Sequence, residues 1–244
     1  MFNQEQTVSY YFKLLKNKPS DFSERYDPEI LSRRPEIIPL VERLFKRIFP
    51  KKCKVLLDVG CGTGFYFPLL AKHCEKLIGI DYSKEMVSEA REILHHQKIN
   101  GQIFCASAAA MPLSSESIDR VFSWDLLHHT DDTRRVLEEI SRVLKPGGSY
   151  TAVEPNFMNP ALFYYHARRR SEWGLFTRNQ MTVKRFWPIA NQKFQVEDIF
   201  YDNTVISFLN ANSMKWWRLA ELLTSKRPLH FLKFRYVLHA TKRS

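Results

Sequence analysis

Asp58, Gly60, Gly62 and Gly64 alternate through Val-Leu-Leu-Asp-Val-Gly-Cys-Gly-Thr-Gly, residues 55–64. Glycine has no Cβ, so a chain with glycine at alternate positions turns sharply and lets a ligand lie against the backbone. Cys61 and Thr63 complete the turn. The apolar run before it predicts a buried strand, and a helix is expected from about Gly64, the setting in which nucleotide-type cofactors bind. The spacing is not that of the dinucleotide pattern G-x-G-x-x-G: the third glycine comes one residue early, and Phe65 stands where that pattern has glycine. There is no G-x-x-x-x-G-K-[ST] phosphate loop either. An acid just ahead of a phosphate-free glycine turn suits a cationic ligand. A second acid, Asp81, follows about 20 residues after Gly60, the distance at which a carboxylate meets ribose hydroxyls.

S-adenosylmethionine (SAM) has the matching chemistry: a sulfonium, an amino group, a carboxylate and a ribose. The run Asp58-x-Gly60-x-Gly62-x-Gly64 resembles the first motif of class I SAM-dependent methyltransferases, of the small-molecule, lipid or quinone-type superfamily. Asp81-Tyr82-Ser83-x-x-Met86 resembles the second motif. The Met111-Pro112-Leu113 turn with Ile118-Asp119 resembles the stretch between strands three and four. The resemblance covers residues 54–154. It implies an α/β, Rossmann-like fold: a seven-stranded, mostly parallel sheet with an antiparallel last strand, helices on both faces and an extra helical cap. It also implies SAM as cofactor, S-adenosylhomocysteine as product and no metal. Tyr82 and Met86 would pack on the adenine. Ser107 stands where the family usually has an acid for the adenine amino group, with the Ala108 N–H beside it. Trp124 and Asp125 would lie beside the transferable methyl.

Methyl transfer from a sulfonium is an in-line displacement, so the protein mainly aligns the partners and excludes water. A base is needed only if the acceptor must lose a proton. His128 and His129 are the candidates by position, with Asp125 third; the alternative for either histidine is a packing role. The helix after Gly64 is expected to offer its N-terminus to the methionine carboxylate.

The elements that must position these residues are legible in the pattern. Strands are expected at residues 76–80, 102–106, 121–123, 150–153 and 193–201, the last with one slip of phase, and a final antiparallel strand at 234–240. A helix is expected over residues 131–144, with Val136, Leu137, Ile140, Val143 and Leu144 on one face, ended by Lys-Pro-Gly-Gly. Ser83 is placed to cap another helix. Strands alternating with helices imply parallel pairing. The chain divides into an N-terminal helical lid (1–52), a cofactor-binding core (53–154), and the C-terminal half of the same domain with acceptor-site insertions (155–244). Tyr11 and Tyr26 of the lid are candidates to meet the substrate or close on the sulfonium. Arg168, Arg169 and Trp173 are candidates in the insertion.

The chain has 244 residues, 44% of them hydrophobic, and a formal net charge of +11. The core segment is mildly acidic, with 11 Lys/Arg against 14 Asp/Glu, whereas residues 155–244 carry 15 against 5. A positive field there favours an anionic partner. The leading expectation is an enzyme methylating a small-molecule or lipid-like acceptor, with an anionic membrane surface as a further partner. A tRNA-modifying methyltransferase contacting phosphates through residues 155–244 is an alternative, and a catalytically inactive SAM-binding protein another. Residues 205–223 read as an amphipathic helix, either core-facing or interfacial. Four cysteines without metal-ligand spacing, no signal sequence and no spanning apolar run lead to an expected cytoplasmic location, peripherally membrane-associated at most.

Overall fold

The computed structural model describes residues 35, 38–160, 188–202, 222–224 and 229–243. Seven strands form one sheet: β1 (Cys53–Val59), β2 (Cys74–Asp81), β3 (Gly101–Cys105), β4 (Ile118–Trp124), β5 (Leu144–Pro155), β6 (Phe194–Asp202) and β7 (Arg235–Lys242). Their order is β3-β2-β1-β4-β5-β7-β6. The first five are parallel, and β7 runs antiparallel between β5 and β6. Strand order reverses between β1 and β4, which opens a crevice above their carboxyl ends.

Helices α1 (Ile38–Ile48), α2 (Phe67–Leu70), α3 (Lys84–His96) and α4 (Thr133–Val143) flank the sheet. Two apolar layers hold them there. Val41, Leu44, Phe45 and Ile48 of α1 share one layer with Phe67, Leu77, Val87, Ile93 and Phe122. Val136, Leu137, Ile140 and Val143 of α4 share the other with Leu57, Ile78, Val121, Tyr150 and Phe194. The last four residues of β1 are all buried, as expected of a strand covered on both faces. Two caps fix helix starts. Ser83 Oγ accepts the Met86 N–H at 3.2 Å, and Asp132 Oδ1 accepts the Arg135 N–H at 3.0 Å.

Two local expectations change and a third takes a specific form. The helix expected from Gly64 starts only at Phe67 and is four residues long. Such a short helix has little dipole to offer a carboxylate. The Lys145-Pro146-Gly147-Gly148 stretch ends α4 but lies inside β5: Leu144 already pairs with Ile118, and the ladder resumes at Ser149 opposite Arg120. Gly147, at φ +71°, makes that excursion. The phase slip read in the sixth strand is a register shift between Val196 and Asp198 against β7.

Candidate functional site

The glycine turn begins where β1 ends. The Gly60 and Cys61 N–H groups both donate to the Ile80 carbonyl at the end of β2, at 2.7 and 3.0 Å. Gly62 N–H donates to Asp81 Oδ2 at 2.9 Å, and Ser83 N–H to Asp81 Oδ1 at 2.9 Å. The carboxylate of Asp81, at the end of β2, therefore shapes the turn. With the Gly62, Ser83 and Tyr82 N–H groups on it, the carboxylate still has acceptor capacity for a ligand hydroxyl. Gly62 and Gly64 have φ of +56° and +78°. A Cβ on Gly64 would come within 2.8 Å of the Phe67 ring, whereas one on Gly62 would meet nothing within 4 Å. The open side of the turn is thus at Gly62.

Asp58 is 2% exposed. Burial, reinforced by the Asp81 charge, pushes its carboxyl up to about 8. Burial also raises Asp81, against the pull of the Ser83, Gly62 and Tyr82 N–H groups. The Cys61 thiol, buried near both acids, is held well above the usual thiol range. Two carboxyls resisting ionisation side by side favour a cationic ligand, which would relieve both. Thr63 Oγ1 is buried, with no hydrogen-bond partner among the described residues. Tyr82 is exposed and Met86, in the first turn of α3, is buried. Ser107 turns its hydroxyl to the Ala109 N–H at 3.2 Å, and Ala108 is buried beside it.

The second half of the site follows β4. Trp124 stacks on Tyr66, with ring centroids 4.6 Å apart and planes 28° apart. Its indole Nε1 is buried without a partner among the described residues. Asp125, at φ +55°, donates its N–H to the Val153 carbonyl at 2.9 Å. Its carboxylate is ion-paired with the buried Arg235 of β7, whose guanidinium also lies 5.5 Å from the Trp124 ring. Asp125 is therefore a poor base: the paired guanidinium stabilises its charged form. His128 Nδ1 lies 2.6 Å from Oε2 of Glu154. The His128 and His129 rings are 3.9 Å apart, and only His129 is partly exposed.

All the predicted residues from Asp58 to His129 thus gather along the carboxyl ends of β1, β2, β3 and β4. Tyr11, Tyr26, Arg168, Arg169 and Trp173 lie outside the described residues. Glu154 and Arg235 were missed by sequence reasoning. Their signal was weak: a single acid after an apolar strand, and one arginine among the many basic residues of the C-terminal third.

Residues 57–152 match the family described as a methyltransferase domain. A ubiquinone biosynthesis O-methyltransferase of Coxiella burnetii is 30% identical over 108 residues, 43% of this chain and 46% of that protein. A 24-methylenesterol C-methyltransferase of Oryza sativa is 33% identical over 118 residues, 46% of this chain and 32% of that protein. The matched stretch spans less than half the length of these curated relatives. A solved SAM-dependent methyltransferase from Aquifex aeolicus superposes with a TM-score of 0.59 at 18% identity, covering 99% of both chains. At that identity the likeness is one of fold.

Proposed function

With residues 57–152 forming a methyltransferase domain of the class I, Rossmann-like kind, we propose that the chain transfers a methyl group from SAM to a small-molecule or lipid-like acceptor. The observation that carries this reading is the crevice beside Gly62. Nothing would meet a Cβ there, while Thr63 Oγ1 in the same turn and Trp124 Nε1 at the end of the neighbouring strand β4 are buried without partners among the described residues. A buried polar atom left unmade is costly, so such atoms point to a ligand. The residues present fit SAM.

In this reading the Asp81 oxygens take the ribose hydroxyls while keeping the Gly62 and Ser83 N–H groups. Asp58, once ionised, balances the positive charge of the cofactor. The Gly60–Gly64 backbone and Thr63 line the amino-acid end. Tyr82 and Met86 flank the adenine, with Ser107 and Ala108 at its edge. When bound, SAM supplies an activated methyl on a good leaving group. The chain then has to hold the acceptor in line and keep water out. The stacked Tyr66–Trp124 pair forms an apolar wall suited to both tasks. If the acceptor must lose a proton, the histidines at 128 and 129 remain the candidates, since Asp125 is committed to Arg235.

The relatives named for O- and C-methylation both act on small or lipid-like molecules by name, which supports an acceptor of that class. The excess positive charge of residues 155–244 supports an anionic membrane surface near the acceptor, with tRNA as the competing partner. Calorimetric titration with SAM tests the cofactor. Micromolar affinity, about −7 to −8 kcal/mol, is expected, and no heat at millimolar SAM would overturn the reading. S-adenosylhomocysteine release with a cell-extract acceptor separates a working enzyme from an inactive SAM-binding protein. Co-sedimentation with anionic vesicles, against salt-dependent tRNA binding, separates the two anionic partners.

A further inference from the structure

The turn after β4 is held by a carboxylate from a different strand. Glu154, near the end of β5, is fully buried. Its Oε1 accepts the Leu126 N–H at 3.1 Å and the Leu127 N–H at 2.8 Å, and its Oε2 meets His128 Nδ1 at 2.6 Å. Three groups of one turn thus converge on one side chain. We propose that Glu154 is a positioning residue: it pins the turn carrying Asp125, His128 and His129, and it holds the His128 ring with its proton on Nδ1. The inference rests on the methyltransferase reading, because that reading makes this turn the acceptor end of the site.

The physical case is one of donors and acceptors. Two backbone N–H groups already point at Oε1, and they favour the ionised carboxylate. An ionised carboxylate only accepts, so the short contact at Oε2 requires a proton on Nδ1 and leaves the ring lone pair on Nε2. A wrong tautomer would put a second lone pair against the carboxylate. Burial and the charge of Asp125 oppose ionisation, so Glu154 titrates at about 7. The Leu127 N–H, His129 and Arg235 pull the other way. Tyr150 of β5 and Tyr236 of β7 also feel the charge of Glu154. The arrangement is therefore complete above pH about 7 and loosens below it.

Long-range proton–nitrogen NMR of the histidine rings tests this on the full chain, with a His128→Gln sample to assign the signals. Above neutral pH, wild-type His128 is expected to show a protonated Nδ1 and an unprotonated Nε2; the reverse tautomer would overturn the proposal with no variant needed. In Glu154→Gln the amide oxygen still takes the two backbone N–H groups, but its NH₂ now faces Nδ1, so the ring tautomer is expected to switch. Amide exchange at Leu126 and Leu127 is expected to rise less than about threefold in Glu154→Gln and about tenfold or more in Glu154→Ala. An unchanged tautomer in the first variant, or unchanged exchange in the second, would refute it. SAM affinity is expected to stay within about twofold of wild type in both variants, because the ribose and amino-acid contacts come from the turns after β1 and β2 and Glu154 bonds only Leu126, Leu127 and His128 of the turn after β4. Lost affinity in the variants alone would make Glu154 a general support of the fold and overturn the specific role. Failure of wild type itself to bind SAM would count against the methyltransferase reading, while the tautomer would still report on Glu154.

Discussion

Asp58 and Asp81 sit at the ends of adjacent strands, yet their surroundings differ. Asp81 has the Gly62, Tyr82 and Ser83 N–H groups on its carboxylate, whereas Asp58 is buried beside it with its carboxyl raised to about 8. Binding of a cation should therefore drive a proton off Asp58. Between pH 6 and pH 8 SAM affinity is expected to rise, because the binding-competent carboxylate becomes more populated; calorimetry in buffers of different ionisation heat would show proton release on binding. Asp58→Asn should flatten that dependence. Asp81→Ala should weaken SAM binding at least about tenfold, since hydrogen bonds to a charged group contribute about 1.5–3 kcal/mol. Normal affinity in that variant would mean the ribose lies elsewhere.

At the scale of elements, the glycine turn separates stability from binding. Gly62→Ala places its methyl in open space, so the protein is expected to fold with a cost of about 1–2 kcal/mol from positive φ alone, and to lose most SAM affinity. Gly64→Ala drives its methyl into Phe67, so the melting temperature should fall further in that variant, as thermal denaturation would show. The turn and the strand after it were legible because alternating glycines and a spaced acid leave a local trace. Helix α4 was legible for the same kind of reason: its apolar residues recur at helical spacing and Asp132 caps it. The length of α2 was not, because nothing local to residues 64–70 marks a start at Phe67; Pro68 fits the first turn of a helix wherever it begins. Nor were the roles of Glu154 and Arg235. Glu154's role depends on β5 lying beside β4, which brings it to a turn 26–28 residues back, and Arg235's on β7 closing against β5, which brings it to Asp125 from 110 residues away. The functional turn is local in sequence, but the side chains that hold it arrive from elsewhere.

Across the whole molecule, the buried acids make stability depend on pH in an unusual direction. An unfolded Asp58 releases its proton near 3.8 and the folded one near 8; Glu154 shifts the same way, from 4.5 to about 7. Between those limits these two groups bind more protons in the folded chain than in the unfolded chain, so their contribution to stability falls as pH rises, opposed in part by His73 and His239, whose protonation burial disfavours. The melting temperature of the ligand-free protein is expected to drop from pH 5 to pH 8, with a shallower slope in Asp58→Asn. SAM held at one concentration, a hundred times its dissociation constant at pH 8, should stabilise the fold there by about 2.7 kcal/mol, raising the melting temperature by about 5–10 °C, and the same concentration should give a smaller rise at pH 6. Equal rises at pH 6 and pH 8 would argue against Asp58 as the coupled group.

The reversed direction of β7 has a consequence for biosynthesis. Its first residue, Arg235, stands beside Asp125, and the rest of the strand completes the sheet between β5 and β6. A ribosome that has released residues 53–155 has already exposed β1 to β5 and the glycine turn, but not the Arg235 guanidinium that pairs with Asp125. The nascent chain must therefore carry an unfinished pocket and an unzipped β5 border until β7 has been made and has cleared the exit tunnel, an interval in which a chaperone has something to grasp.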